Sequence, residues 1–428
     1  MIDARGWAAI GLFVAAYALF AVRERWRVPV GAAAALAALG TGLVPVASLR
    51  PTSFNGQGGV VEWNSIGLLV GLFLFAGLLH ELGVFRYAAL RLARRFESGP
   101  VGLYVVLTVL AFGLSAFVNS ISVLLVLAPL TLEVMRALGR NPVPFLLAEI
   151  SASNAGGAAT FVGDLPNVIL GTYFQLGFLD FLEYTSLPAI AALGVILLWF
   201  RFRLGATPTL RDPPPLPSPS SSLPDPFRAA IAVGGFAGVL VVLGAQGPLG
   251  VPVWLVGLGA GGFALLLAGR SLGRSVVRHF DGQTVVFFVC LFVLVGALVT
   301  TGDIGAMAQQ IGGWGGGNLL LTGTILLWTL GLLSAVVNNI PLAAAAAPLI
   351  ASLGGHPGVS PRPLVWAAAL GSDIGGNGTP IGASANIVGL AAAARAGTPI
   401  TWSTYVRSAF PAMLISLAAA NLVWLVVH

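Results

Sequence analysis

Long apolar runs broken by short polar or proline-bearing stretches recur along the whole chain. They lie at about 7–22, 28–46, 64–85, 101–118, 121–137, 143–178, 184–201, 227–245, 251–269, 283–302, 318–336, 341–353, 363–396 and 403–427. Runs of about 18 or more apolar residues read as membrane-spanning α-helices, whereas a β-barrel would show short strands of alternating polarity. The pattern predicts an all-α polytopic membrane protein. Residues 204–226 carry Pro213-Pro214-Pro215-Leu216-Pro217 and Ser220-Ser221-Ser222 without hydrophobic periodicity, and read as a cytoplasmic Pro/Ser-rich linker. This linker separates residues 1–203 from 227–428.

The two halves repeat. A shift of 219 residues lays Leu114-Ser115-Ala116-Phe117-Val118-Asn119 on Leu333-Ser334-Ala335-Val336-Val337-Asn338, and Ala128-Pro129-Leu130 on Ala347-Pro348-Leu349. Nine of these 17 consecutive positions are identical. The same shift aligns Gly156, Gly157, Thr160, Gly163 and Asn167 with Gly375, Gly376, Thr379, Gly382 and Asn386, and Gly77 and Gly83 with Gly296 and Gly302. One offset held over such a distance marks an internal repeat.

The orientation of the repeats follows from the positive-inside rule. If 101–118 with 121–137, and 318–336 with 341–353, are re-entrant hairpins, each half crosses the membrane five times and the second half is inverted. With both termini outside, 18 arginines fall on the cytoplasmic side and only Arg5, Arg50 and Arg362 outside. Counting the hairpins as full crossings also makes an odd number per half, so the hairpin reading rests on the tips. Those tips, Asn119-Ser120-Ile121-Ser122 and Asn338-Asn339-Ile340-Pro341, are polar interruptions of apolar sequence. Bare backbone in hydrocarbon costs several kcal/mol per unsatisfied group, so such interruptions belong where protein encloses them.

Composition narrows the function. The chain of 428 residues is 57% hydrophobic and 8% charged, with a mean hydropathy of +0.93, against roughly 25% charged residues in a soluble domain. All 21 basic residues are arginines gathered at helix ends, so the net charge of +6 does not point to nucleic acid. One cysteine, Cys290, excludes a disulfide framework or thiolate metal site and reads as packing. His80, His279, His356 and His428 have no metal spacing. The first apolar stretch lacks a basic leader and ends in Arg23-Glu24-Arg25-Trp26-Arg27, which reads as a retained span. No P-loop is present, and neither an enzymatic centre nor a cofactor is expected.

The segments 143–178 and 363–396 are too long for one span, and each is interrupted near its centre by glycines. The first carries Asn154, Gly156, Gly157 and Thr160; the second carries Asp373, Gly375, Gly376, Asn377 and Thr379. Two broken helices facing two hairpin tips make a midplane binding site of half-helix ends and neutral polar side chains. Asn119, Ser120, Asn154, Gly156, Gly157, Thr160, Asn338, Asn339, Gly375, Gly376, Asn377 and Thr379 are the candidate substrate residues. Asp164 and Asp373 flank the breaks and violate the repeat, matching Ala383 and Asn154. Ionisable groups within a membrane mark function, so these two and Glu149, one turn before the first break, are the candidate proton or cation sites. Capping of the following half-helix is the competing role for Asp164. With every arginine at a rim, the site suits a polyhydroxy neutral substrate or a small cation better than a di- or tricarboxylate.

The runs Gly156-Gly157-x-x-Thr160-x-x-Gly163-Asp164-Leu165-Pro166-Asn167, Asn338-Asn339-Ile340-Pro341 and Gly375-Gly376-Asn377-Gly378-Thr379-Pro380-Ile381-Gly382-Ala383-Ser384-Ala385-Asn386 resemble the ArsB/NhaD branch of the ion transporter superfamily. The resemblance spans nearly the whole chain and adds Asn167 and Asn386 as motif residues. It implies a homodimeric elevator-type carrier, with a scaffold part at about 1–97 and 227–315 and a transport part at about 98–203 and 316–428, and without a eukaryotic targeting segment a prokaryotic inner membrane is the expected location. Two departures stand out. The usual Gly-Asp-Pro-Pro-Asn is Gly163-Asp164-Leu165-Pro166-Asn167, and a tip that often carries Asn-Asp reads Asn119-Ser120. The resulting expectation is proton-coupled efflux of arsenite or antimonite as the neutral trihydroxide, with a separate ATPase subunit as an optional partner. Sodium/proton antiport is the second reading, sodium-coupled carboxylate transport the third, and a channel the fourth.

Overall fold

A computed structural model describes residues 4–22, 26–51, 59–96, 99–204, 218–278, 280–305, 309–310, 315, 317–354 and 359–428. Arg23, Arg25, Arg211, His279, His356 and the stretch 205–217 of the linker lie outside the described residues.

The first half runs α1 (Ala4–Val22), α2 (Arg27–Gly40), α3 (Trp63–Glu81), α4 (Val84–Arg95), α5 (Pro100–Ser115), α6 (Ser120–Ala137), α7 (Val143–Gly157), α8 (Leu165–Tyr173) and α9 (Phe178–Arg201). The second runs α10 (Pro226–Gly244), α11 (Val253–Arg278), α12 (Gly282–Thr300), α13 (Leu319–Ser334), α14 (Asn339–Leu353), α15 (Pro361–Gly375), α16 (Ser384–Arg395) and α17 (Trp402–Val427). The described residues contain no strand. The sequence offset reappears in the boundaries: α3 maps onto α12, and α5 onto α13, residue for residue. Pro129 in α6 and Pro348 in α14 are matching interior prolines.

Among the described residues, seven helices are long and apolar enough to cross a membrane: α3, α6, α9, α10, α11, α12 and α17. The arms α5, α13 and α14 have 16, 16 and 15 residues, about 24 Å of helix against roughly 30 Å of hydrocarbon. The predicted breaks are present, since α7 stops at Gly157 and α15 at Gly375, and each chain resumes as a helix after a short irregular stretch.

One element departs from the expected segmentation. The run read as 64–85 ends at Glu81, and Gly83, with φ of 71°, turns the chain into α4. This helix buries Phe85, Ala89, Leu90 and Ala93 along one stripe while Arg86, Arg91, Arg94 and Arg95 occupy the rest. It is amphipathic and suited to a membrane surface. The described end of the linker, a 3₁₀ turn at Pro219–Ser222, meets it: a Cβ on Gly83 would lie 1.8 Å from the Ser222 carbonyl oxygen.

Two packings position the site. Helix α3 lies on α11 with backbones in contact, a Cβ on Gly71 falling 1.6 Å from the Gly257 oxygen. The matching pair, α2 on α12, is looser, with Gly31 3.4 Å from Cys290 Cβ, so Cys290 is a packing residue as expected. The broken helices form the other centre. Every residue from 144 to 172, and from 364 to 378, is buried.

Candidate functional site

Each half-helix end meets a hairpin tip, and the same bonds are made twice. Asn119 caps α6 by accepting from the Ile121 amide at 2.9 Å, and Asn338 caps α14 by accepting from Ile340 at 3.2 Å. The Thr160 hydroxyl donates to the Ala116 carbonyl below the first tip, and Thr379 donates to Ala335 below the second. Asn167 Nδ2 donates to the carbonyls of Gly157 and Thr160 at 2.9 and 2.8 Å; Asn386 Nδ2 donates to Gly376 and Thr379 at 2.7 and 2.9 Å. These are the carbonyls that a helix interruption strands, and two asparagines at repeat-related positions satisfy them.

The glycines serve the same architecture. A Cβ on Gly156 would lie 2.2 Å from the Phe112 oxygen, and one on Gly375 2.2 Å from the Gly331 oxygen. Gly157 and Gly376 face Asp164 and Ala383, at 2.9 and 3.2 Å from the respective Cβ atoms. All four therefore meet the protein's own backbone or the residue before the resuming helix.

The carboxylates break the symmetry. Asp164 caps α8 by accepting from the Leu165 amide at 2.9 Å through Oδ1, the competing role foreseen for it. Its Oδ2 accepts from Ser120 Oγ and from Asn339 Nδ2, both at 3.3 Å. The same Asn339 nitrogen donates to Asp373 Oδ1 at 3.1 Å. One amide of the second tip thus spans two carboxylates from the two broken helices, with Asp164 4% and Asp373 0% exposed. Ala383, opposite Asp164 in the repeat, offers no side-chain cap to α16.

A second layer joins the halves directly. Asn154 Nδ2 donates to Asn377 Oδ1 and to Asn386 Oδ1, each at 2.8 Å, and Asn377 Nδ2 donates to the Ser151 carbonyl at 3.2 Å. Glu149 stands apart: its Oε1 accepts from Thr131 at 2.5 Å, between α7 and α6 and away from the carboxylate pair. Asn119 Nδ2, Asn154 Oδ1 and Asp373 Oδ2 are buried and have no hydrogen-bond partner among the described residues. Asn167 Oδ1, Glu149 Oε2 and the hydroxyls of Ser115 and Ser151 are likewise buried without a partner among the described residues, whereas the Thr160 and Thr379 hydroxyls are already committed to the hairpins.

A cavity reaches Asp164. It measures about 20 Å³, room for roughly one water, and also touches Asn119, Phe73 and Ala76. A larger cavity of about 430 Å³ shares Asn119, Phe73 and Ala76 and reaches His80, Arg278 and Asp281.

One of the arginines at a helix end reaches toward the site. Arg27, read as a rim residue, directs its guanidinium to Ser384 Oγ at 3.5 Å and Thr284 Oγ1 at 2.9 Å. Ser384 Oγ also accepts from Asn338 Nδ2 at 3.1 Å, so a cation lies one side chain from the second tip. Sequence reasoning missed this residue, because a contact between positions 27 and 384 depends on how two parts of the fold are offset along the membrane normal.

Residues 17–371 match the family profile described as citrate transporter. The chain belongs to that citrate transporter family. As a member it is a membrane transporter and not an enzyme. It is 35% identical to an uncharacterized transporter of Mycobacterium bovis over 97% of each chain. It is 30% identical to the magnetosome protein MamN of Paramagnetospirillum magneticum, covering 96% of this chain and 97% of that one. Among solved structures, the YdaH transporter of Alcanivorax borkumensis superposes with a TM-score of 0.56 at 18% identity, over 85% of each chain. MtrF of Neisseria gonorrhoeae, described with a class of antimetabolite efflux pumps, gives 0.56 at 15% identity, over 85% of this chain and 82% of that one. These two likenesses establish a shared transporter fold. The family profile supports the superfamily reached from the motifs; the ArsB/NhaD branch within it remains a resemblance.

Proposed function

We propose that this transporter is a proton-coupled secondary carrier in which Asp164 and Asp373, held on one Asn339 amide, form the coupling centre. The observation that carries the reading is that shared amide. Two carboxylates this close and this buried repel each other when both are ionised, so a proton or a cation must accompany them. A group that binds a cation in one state and must be neutral to move through hydrocarbon couples the ion to the movement. Residues 1–203 and 227–428 act as inverted repeats. The transport part alternates against the scaffold, and the cavity at His80 and Arg278 is its cytoplasmic mouth.

For the cargo, the site chemistry favours a small neutral polyhydroxy species, the trihydroxide of trivalent arsenic or antimony, bound by Asn119, Asn154 and the acidic pair. A carboxylate such as citrate is the second reading, favoured by the family description and by Arg27 beside the second tip. The test is proton flux in proteoliposomes holding a pH gradient, as arsenite, citrate and NaCl are added in turn. Collapse of the gradient by arsenite, abolished in Asp164→Asn, supports the leading reading. A response to citrate alone moves the cargo to carboxylates, and a response to sodium alone makes the pair a sodium/proton exchange site. Arsenite-driven flux with unchanged pH dependence in Asp164→Asn overturns Asp164's coupling role.

A further inference from the structure

We infer that Arg27 is a positioning residue that fastens the transport part to the scaffold in the end state seen here, and that its repeat partner Gln246 leaves the opposite end without that fastening. The inference rests on the alternation proposed above and concerns which of the two end states the chain prefers.

The fastening consists of four groups. Arg27 Nη2 donates to Thr284 Oγ1 at 2.9 Å and lies 3.8 Å from Asp281 Oδ2. Asp281 in turn accepts from the Thr284 amide at 3.0 Å and from its hydroxyl. The guanidinium sits 5.8 Å from the Phe287 ring centroid, so scaffold residues hold it on two sides. Its other nitrogen reaches Ser384 Oγ at 3.5 Å, at the first residue of the resuming helix α16. Nearby, Tyr17 donates to the Pro341 carbonyl of the second tip at 2.8 Å. Scaffold groups at the arginine-bearing end therefore grip the tip and the break of the second repeat.

The offset of 219 carries this constellation to the other end. Arg27 becomes Gln246, Asp281 becomes Glu62, Thr284 becomes Ser65 and Ser384 becomes Leu165. The acid and the hydroxyl are kept; the cation and its target are not. Ser65 pairs with Thr172, whereas Glu62 Oε2 and Gln246 Oε1 are buried without a hydrogen-bond partner among the described residues. Gln246, Thr172 and Val251 border a cavity of about 260 Å³ there. In an inverted repeat the opposite state is reached when the two halves exchange conformations, which brings Leu165 toward Gln246 as Ser384 now meets Arg27. A charge-assisted contact is made in one state and a neutral one in the other. That difference biases the two states by about tenfold.

Thiol labelling in proteoliposomes reads the two states separately, in a Cys290→Ala background. Ala76, 7% exposed, lines the cavity of about 430 Å³ present in this state, and Val295, its repeat partner and 5% exposed, is expected to line the corresponding cavity of the opposite state. Arg27→Gln is expected to raise the labelling rate of Val295→Cys about tenfold and to lower that of Ala76→Cys. Arg27→Lys should stay near the parent, since it keeps the charge. Gln246→Arg restores a cation at the repeat position of Arg27 and should also raise Val295→Cys labelling. Labelling of Val295→Cys that is measurable in the parent but moved by neither Arg27→Gln nor Gln246→Arg overturns the inference and leaves alternation standing. No labelling of Val295→Cys in any variant, with Ala76→Cys reactive throughout, overturns alternation itself.

Discussion

At the first break, Thr160 ties the chain to hairpin residue Ala116 and Asn167 gathers two loose carbonyls; at the second, Thr379 and Asn386 do the same for Ala335 and its own two. Four positions of the site differ: Ser120 faces Asn339 in the repeat, Asn154 faces Asp373, Asp164 faces Ala383, and Asn377 faces Ala158. The acidic centre is made of residues from the differing positions alone, Ser120, Asn339, Asp164 and Asp373. What is duplicated builds the breaks, and the acidic pair sits on what is not. A symmetric frame solves the problem of stranded backbone once and reuses the answer, while an ion site needs charge at one place only.

The sharpest way to break this division is to make the halves chemically alike. Asp373→Asn copies Asn154 into the second break and is expected to reduce proton-coupled flux to background in the proteoliposome assay while the protein still folds. Asp164→Ala copies Ala383 and is expected to abolish coupling and also cost about 1 kcal/mol, through loss of the α8 cap. Coupled flux surviving either change would show that the asymmetry is incidental.

Changes at the duplicated glycines should instead cost stability, and equally in both halves. Gly156→Ala and Gly375→Ala each drive a methyl into a carbonyl 2.2 Å away, and each should destabilise by about 1–3 kcal/mol in detergent melting experiments. A large difference between them would mean that the breaks carry unequal load. The smallest effect separates two asparagines that are nearly equivalent. Asn386 also accepts from Asn154, a bond for which Asn167 has no counterpart. Asn386→Ala should therefore melt lower than Asn167→Ala by about 1 kcal/mol, and equal melting points would remove the cross-half bond from the account.

Much of this was legible in the chain itself. Polar residues in apolar runs announced the tips, and an offset of 219 announced the duplication, because repeats leave identities at fixed spacing. The carboxylate pair was found from its violation of that offset. The surface helix α4 could have been found too, since Phe85, Ala89, Leu90 and Ala93 follow helical spacing among arginines, but it was hidden behind the longer run before it. The duties of Thr160, Thr379, Gly156 and Gly375 were beyond reach. Whether a hydroxyl faces a cavity or a neighbouring carbonyl depends on how closely two helices approach. The reach of Arg27 to Ser384 is of the same kind, set by the relative height of two parts that share no local sequence.

The bonds of Thr160, Asn167, Thr379 and Asn386 have a consequence for travel through a bilayer. A broken helix is ordinarily a polar wound that water must dress, and dragging it through hydrocarbon would mean dragging that water as well. Here the dressing is covalently attached: on the alternation proposed above, hydroxyls and amides of the transport part itself satisfy the carbonyls at both interruptions. The unit carries its own solvent. Under the proposed coupling, three buried carboxylates, Asp164, Asp373 and Glu149, still need something from outside to be made neutral, and the conditions for movement become a question of occupancy at those groups.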